Sequence, residues 1–181
     1  MKKKKFKVRG AIKNSDDYAY FSLALKRFNL GIEEEDFEEK IIDFIIAFEA
    51  LCLPELDELR YRLSNRIATL VSKNSEEAEK IRDFMKKAYD VRSSIVHGGK
   101  IKSIAIEGKP IKLGVFTKKL EDYLRKTLRL FLTLSVKVKK QKDLIELLDK
   151  SLFDLQTKRF IRSLAKQVWF NRVPAFDHEL K

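Results

Sequence analysis

Residues 40 to 53 read KIIDFIIAFEALCL, with Ile41, Phe44, Ile45, Phe48 and Cys52 recurring at spacings of three and four. Residues so spaced stand above one another on one side of an α-helix, and a face this apolar has to be covered by other elements. Asp43 and Glu49 interrupt the run and Pro54 stops it, well short of the roughly 20 apolar residues that a membrane span needs. A buried helix is predicted here, and no membrane segment.

The same period continues in both directions. Upstream, a helix is expected to open at Asn14 or Ser15, with Asp16 and Asp17 in the first turn where the helix dipole favours negative charge. It runs through Phe21, Leu25 and Phe28 until Gly31 ends it, and an acidic linker, Glu33 to Glu39, follows. Downstream, a third helix from about Leu56 to Val71 sets Leu59, Leu63, Ile67 and Leu70 on one face, with Arg62 and Arg66 beside it. Lys73, Asn74 and Ser75 break the chain, and Glu76 and Glu77 open a fourth helix whose apolar stripe is Phe84, Ala88, Val91 and Ile95.

Ile101 to Leu113 departs from this period. Ile101, Ile104, Ile106, Ile111 and Leu113 surround a turn at Gly108, Lys109 and Pro110, as in a short hairpin or an ordered loop. Helical spacing resumes from Thr117 to Val136 and again from Lys142 to Phe170. The expected fold is all-α: an up-and-down helical bundle with a short β-hairpin or ordered loop near 101–113 and a C-terminal helical extension. Residues 1–13 form a basic tail, 14–140 the helical domain, and 141–181 an extension packing on that domain.

Composition narrows the function. The chain has 181 residues, of which 44% are apolar, enough for one domain with its own core. One cysteine, Cys52, and two histidines exclude a disulfide framework and a structural zinc site, so neither metal nor another cofactor is expected. Met1 to Arg9 is basic with no continuous apolar segment behind it, which predicts a cytoplasmic protein without a signal peptide. The net charge of +12 is unevenly spread. Residues 11–100 carry 14 lysines and arginines against 18 acids, whereas residues 101–181 carry 19 against 9. A basic tail and a basic C-terminal half suit a polyanion such as RNA or DNA, or else make a well-solvated, lysine-rich surface.

The polar residues that packing does not require gather at the end of the fourth helix, where Tyr89 to Gly98 read YDVRSSIVHG. At 100° per residue, Asp90, Ser94 and His97 line one polar edge beside Ser93, while Arg92 lies on the far border of the apolar stripe, about 140° from His97. One copy of the helix cannot easily aim both side chains at the same phosphate. Either the last turn unwinds at Gly98 and Gly99, or two copies meet across a two-fold axis.

This order of residues resembles the HEPN superfamily, and specifically its Apea-like branch. The motif of that superfamily is an arginine, four to six intervening residues and a histidine, and here four residues separate Arg92 from His97. Lys26, Arg27, Phe28 in the first helix, Ala47 to Leu51 in the second and Arg62 to Ala68 in the third carry the resemblance further. It implies a bundle that dimerises through the motif helix and, in active members, a metal-independent RNA endonuclease. In those members the RNA's own 2′-hydroxyl attacks and a cyclic phosphate results. Carried over, His97 exchanges protons with that hydroxyl or the leaving 5′-oxygen, and Arg92 neutralises charge on the phosphate oxygens. Histidine suits the first role because it ordinarily titrates near neutrality, arginine the second because its planar fork matches two oxygens. Asp90, Ser93, Ser94, Glu49 and Arg66 are the supporting candidates. A toxin or defence effector with an antitoxin-like protein partner fits this reading; the alternative is a non-catalytic RNA-binding or dimerisation module. The resemblance departs at Ser93, where a polar Asn, Asp or His often follows the motif arginine.

Structural roles compete at each position. His97 can act as a favourable group at a helix C-terminus, and Arg92 can pair with Glu49, a partner that Arg66 could share. Lys100, Lys102, Arg159, Arg162 and Lys166 are the candidate nucleic-acid contacts. In the last helix Phe160, Leu164, Val168 and Trp169 are expected to pack inward and leave the charges in water.

Overall fold

The computed structural model describes residues 18–55, 57–101, 103–135, 137, 138 and 140–170, the last six as backbone only. The basic tail 1–13, the helix opening expected at Asn14 or Ser15, Lys102, the side chains of Lys166, Val168 and Trp169, and His178 lie outside them. The elements in chain order are α1 (Ala19–Glu33), α2 (Phe37–Cys52), α3 (Leu59–Val71), α4 (Ser75–Val96), β1 (Ile104–Ile106), β2 (Lys109–Ile111), α5 (Leu113–Ser135), α6 (Gln141–Lys150) and α7 (Leu155–Phe170). This is an all-α bundle with one small β-hairpin.

The helix read first from the sequence is central. Ile41, Phe44, Ile45, Ala47, Phe48, Leu51 and Cys52 of α2 are all fully buried, and α1, α3, α4 and α5 pack around it. Ala47 and Leu51 widen the expected stripe because neighbours cover the helix from several sides. Asp36 caps it, its carboxylate accepting from the Glu38 and Glu39 amides at 2.7 and 3.1 Å. The acidic linker therefore shrinks to Glu34–Asp36, and Phe37 to Glu39 form the first turn of α2.

Gly31 does not end the first helix, which continues to Glu33. Its role is steric: a Cβ on Gly31 would lie 2.6 Å from Cε1 of Phe44, closer than any real contact. The missing side chain lets α1 and α2 close on each other, with the Phe28 and Phe44 rings 6.1 Å apart and Arg27 donating to Asp43 at 3.0 Å.

Opposite, α4 meets α5 through aromatic rings. Phe84 lies 4.8 Å from Phe116 and 5.3 Å, edge-on, from Tyr123, and the Lys119 ammonium sits 4.9 Å above the Phe84 ring. The hairpin expected near 101–113 is present, its strands antiparallel with Ile106 opposite Lys109. The turn falls at Glu107–Gly108, one residue before the expected position, and both residues have positive φ, 51° and 74°. That is the type I′ geometry matching the twist of a two-residue hairpin, with Gly108 supplying the left-handed conformation cheaply.

The helical period from Lys142 to Phe170 forms two helices, separated at Ser151–Asp154, where Asp154 caps α7 through the Gln156 and Thr157 amides. The pair packs on the bundle through Leu144, Ile145, Leu148, Ile161 and Leu164. Phe160 is exposed, contrary to expectation. The buried stripe of α7 is Thr157, Ile161 and Leu164, and Phe160 falls outside it.

Arg66 holds this assembly together. It does not share Glu49; its guanidinium, 1% exposed, makes five hydrogen bonds elsewhere. Nε and Nη2 donate to the two oxygens of Asp149 at 2.8 and 2.6 Å, Nη1 and Nη2 to those of Glu55 at 2.8 and 3.1 Å, and Nη1 also to the Cys52 carbonyl at 2.6 Å. Burial disfavours the charge, but these bonds outweigh it and keep the guanidinium protonated, while Glu55 is held below the usual carboxylate range by Arg66. Nearby, the Gln141 amide donates to the Ala50 and Leu51 carbonyls at 2.8 and 3.0 Å, so α6 also closes the end of α2.

Candidate functional site at the end of α4

The local sequence defines both ends of α4. Asn74 accepts from the Glu77 amide at 2.8 Å, and Glu77 reaches back to the Lys73 amide at 2.6 Å, a reciprocal N-terminal closure. At the other end the Gly98 amide donates to the Ile95 carbonyl at 2.9 Å and the Gly99 amide to the Ser94 carbonyl at 2.8 Å. These two bonds, with Gly98 at φ 75°, form a Schellman motif. Gly99 is required for space, because a Cβ there would lie 2.4 Å from the Ser94 hydroxyl oxygen. The last turn therefore does not unwind; it is closed by its glycines.

His97 is the capping residue of this closure, its amide donating to the Ser93 carbonyl at 3.2 Å, and the residue is exposed. Ser93 and Ser94 thus serve the motif through their carbonyls. Arg92, on the other border of the helix, is about a quarter exposed and lies 3.9 Å from Glu49 on α2, the pairing expected from sequence. The contact is too long for a hydrogen bond, and the buried Nε of Arg92 has no hydrogen-bond partner among the described residues. Burial raises the Glu49 carboxyl above its ordinary range, with Arg92 partly opposing, and burial likewise raises the Tyr89 hydroxyl, with the Glu49 charge adding. Glu49, Tyr89 and Arg92 are one electrostatic cluster where α2 meets α4.

Asp90 is already engaged. Arg60 of α3 donates to both its oxygens, at 2.6 and 2.7 Å, an exposed bidentate pair bridging antiparallel neighbours. Sequence reading missed Arg60. The available signal was its placement, thirty residues from Asp90 with the break before α4 midway between them.

The candidate nucleic-acid contacts do not share one element. Lys100, exposed, lies between α4 and the hairpin, whereas Arg159, exposed, and Arg162, partly exposed, belong to α7. No group of three or more His, Cys, Asp or Glu side chains among the described residues could hold a metal ion, and none of the described helices is long and apolar enough to cross a membrane. No known family model, curated protein or solved structure matches this chain.

Proposed function

We propose that this chain is a metal-independent RNA endonuclease of the HEPN type, working as a homodimer through α4. The observation that carries the reading is the state of the two motif side chains: His97, exposed at a helix end closed by its glycines, and five residues earlier Arg92, partly exposed and without a hydrogen bond among the described residues. Nε of Arg92 is buried, but Glu49 holds Nη2 only loosely at 3.9 Å, which leaves the terminal nitrogens as the donors for phosphate oxygens.

The reaction requires two proton transfers. The 2′-hydroxyl loses its proton as its oxygen bonds to phosphorus, and the 5′-oxygen gains one as its bond to phosphorus breaks, leaving a 2′,3′-cyclic phosphate and a 5′-hydroxyl. The one motif imidazole of each chain can serve one end of that transfer at a time, and a dimer supplies two. The paired arrangement also answers the geometry, since Arg92 and His97 of one helix point to different sides.

Single-stranded RNA incubated with the purified protein in chelator tests this. Cleavage to cyclic-phosphate ends is expected, falling about 10² to 10⁴-fold in His97→Ala, the usual range for a general acid or base. Equal cleavage by the wild type, His97→Ala and Arg92→Ala would reject the assignment. The Schellman closure favours a second reading, because it accounts for Gly98, Gly99 and the capping position of His97 without chemistry. That reading is a non-catalytic RNA-binding or dimerisation module; RNA binding without turnover, unchanged in His97→Ala, distinguishes it.

A further inference from the structure

Beside the polar edge of α4, the chain leading into the hairpin folds back and leaves an open cleft of about 290 Å³. Lys87 and Lys100 stand on its walls, the serines Ser94 and Ser103 offer hydroxyls, and Val91 and Ile101 give it an apolar floor. Its one carboxylate, Asp90, is taken up by the bidentate pair with Arg60. Neither lysine makes an ion pair among the described residues, in contrast to Lys80, Lys118 and Lys142, each of which has a carboxylate within 4 Å. With Arg60 cancelling Asp90, the two lysines, neither held in an ion pair, leave the cleft net positive, with hydroxyl donors suited to phosphate oxygens. The neighbouring cleft along the first half of α4 shares Lys87 and adds Lys80, but four carboxylates, Glu76, Glu79, Asp83 and Glu107, outnumber them there. Charge thus changes sign along one helix, and the positive end is the one that carries His97.

We propose that this cleft binds the sugar-phosphate backbone of an RNA strand, with Lys87 and Lys100 each neutralising one phosphate, and leads the strand to the imidazole at the end of α4. This deepens the nuclease reading and rests on it for the identity of the strand. None of the described residues lining the cleft is aromatic, so its part is to hold the backbone and not to read the bases.

The test uses the full chain and labelled 2′-O-methyl RNA of two unrelated sequences, which lacks the attacking hydroxyl and stays intact. Affinities are measured from 50 to 300 mM salt for the wild type, for Lys87→Ala/Lys100→Ala, and for Lys118→Ala/Lys142→Ala, which removes equal charge from α5 and α6. At about 0.7 counterions per single-strand phosphate contact, the cleft pair should make the slope of log affinity against log salt less negative by about 1.4. That corresponds to roughly 25-fold weaker binding at 0.1 M salt, the same for both sequences, with little change in the control pair because distant charges are screened. An unchanged slope in the cleft variant, an equal loss in the control, or no binding by the wild type overturns the proposal. Cleavage of ordinary RNA that depends on His97, together with an unchanged slope in the cleft variant, rejects the cleft and keeps the nuclease. The expected slope change with no cleavage by the wild type keeps the cleft and rejects the nuclease.

Discussion

Replacing Arg66 with alanine should destabilise the fold by about 3 kcal/mol. Two buried methylenes are lost, worth about 1.6 kcal/mol at the usual 0.8 per group, and the Cys52 carbonyl loses its 2.6 Å donor, at about 1 to 3 kcal/mol. Glu55 and Asp149 add little, because at 36% and 42% side-chain exposure water can replace the guanidinium around them. Arg66→Met restores the stem volume and should cost about 1 to 3 kcal/mol, the share of the orphaned carbonyl. Urea unfolding followed by helical circular dichroism reads these values as midpoint shifts at constant slope. The acid limb gives an independent check. Arg66 lowers the folded-state pKa of Glu55, so the stability from that carboxylate is present above its unfolded pKa and is lost as pH falls through the folded value. The gap between wild type and Arg66→Met should therefore narrow in acid. A loss below about 1 kcal/mol for Arg66→Ala, or a gap that widens as pH falls, would refute the account of Arg66 as the tie between α3, the end of α2 and α6.

Further measurements address other parts of the fold. Gly31→Ala gains about 1 kcal/mol of helix propensity but drives a methyl into Phe44, so a net loss of about 1 kcal/mol and a lower melting temperature are expected. Gly98→Ala meets no atom within 4 Å yet must hold φ 75°, and should cost about 1 to 2 kcal/mol, with Gly98→Asn costing less. Burial raises the folded-state pKa of Glu49, so its contribution is present below the unfolded carboxylate value and is lost as pH rises through the folded one. Glu49→Gln should accordingly gain stability relative to wild type as pH is raised from acid to neutral, and a flat difference would contradict the burial of that carboxyl. The Cys52 thiol is fully buried and pushed up to about 12, so a thiol reagent at neutral pH should react only when denaturant unfolds the chain.

Much of the architecture was legible in local spacing. The recurrence of Ile41, Phe44, Ile45, Phe48 and Cys52 marked α2, and Phe84, Ala88 and Val91 marked the buried face of α4. The isoleucines around Gly108 marked the hairpin, although the turn sits one residue earlier. Of the candidate site, the exposed edge at His97 and the pairing of Arg92 with Glu49 were legible, because both follow from which side of a helix a residue occupies. The use of Asp90 was not, since Arg60 reaches it from another helix.

The sequence by itself determined where helical period runs and which faces are apolar, because these depend on residues within one or two turns of each other. Only the tertiary structure decided what Gly31, Arg66 and the lysines beside α4 do. Gly31 reads as a stop until Phe44 is seen pressed against it, and Arg66 reads as a neighbour of Glu49 until Asp149, 83 residues away, is folded onto it. Lys87 and Lys100 become one cleft only when the segment between Gly99 and the hairpin lies beside α4. Such encounters depend on how whole elements pack, and no helical period records them.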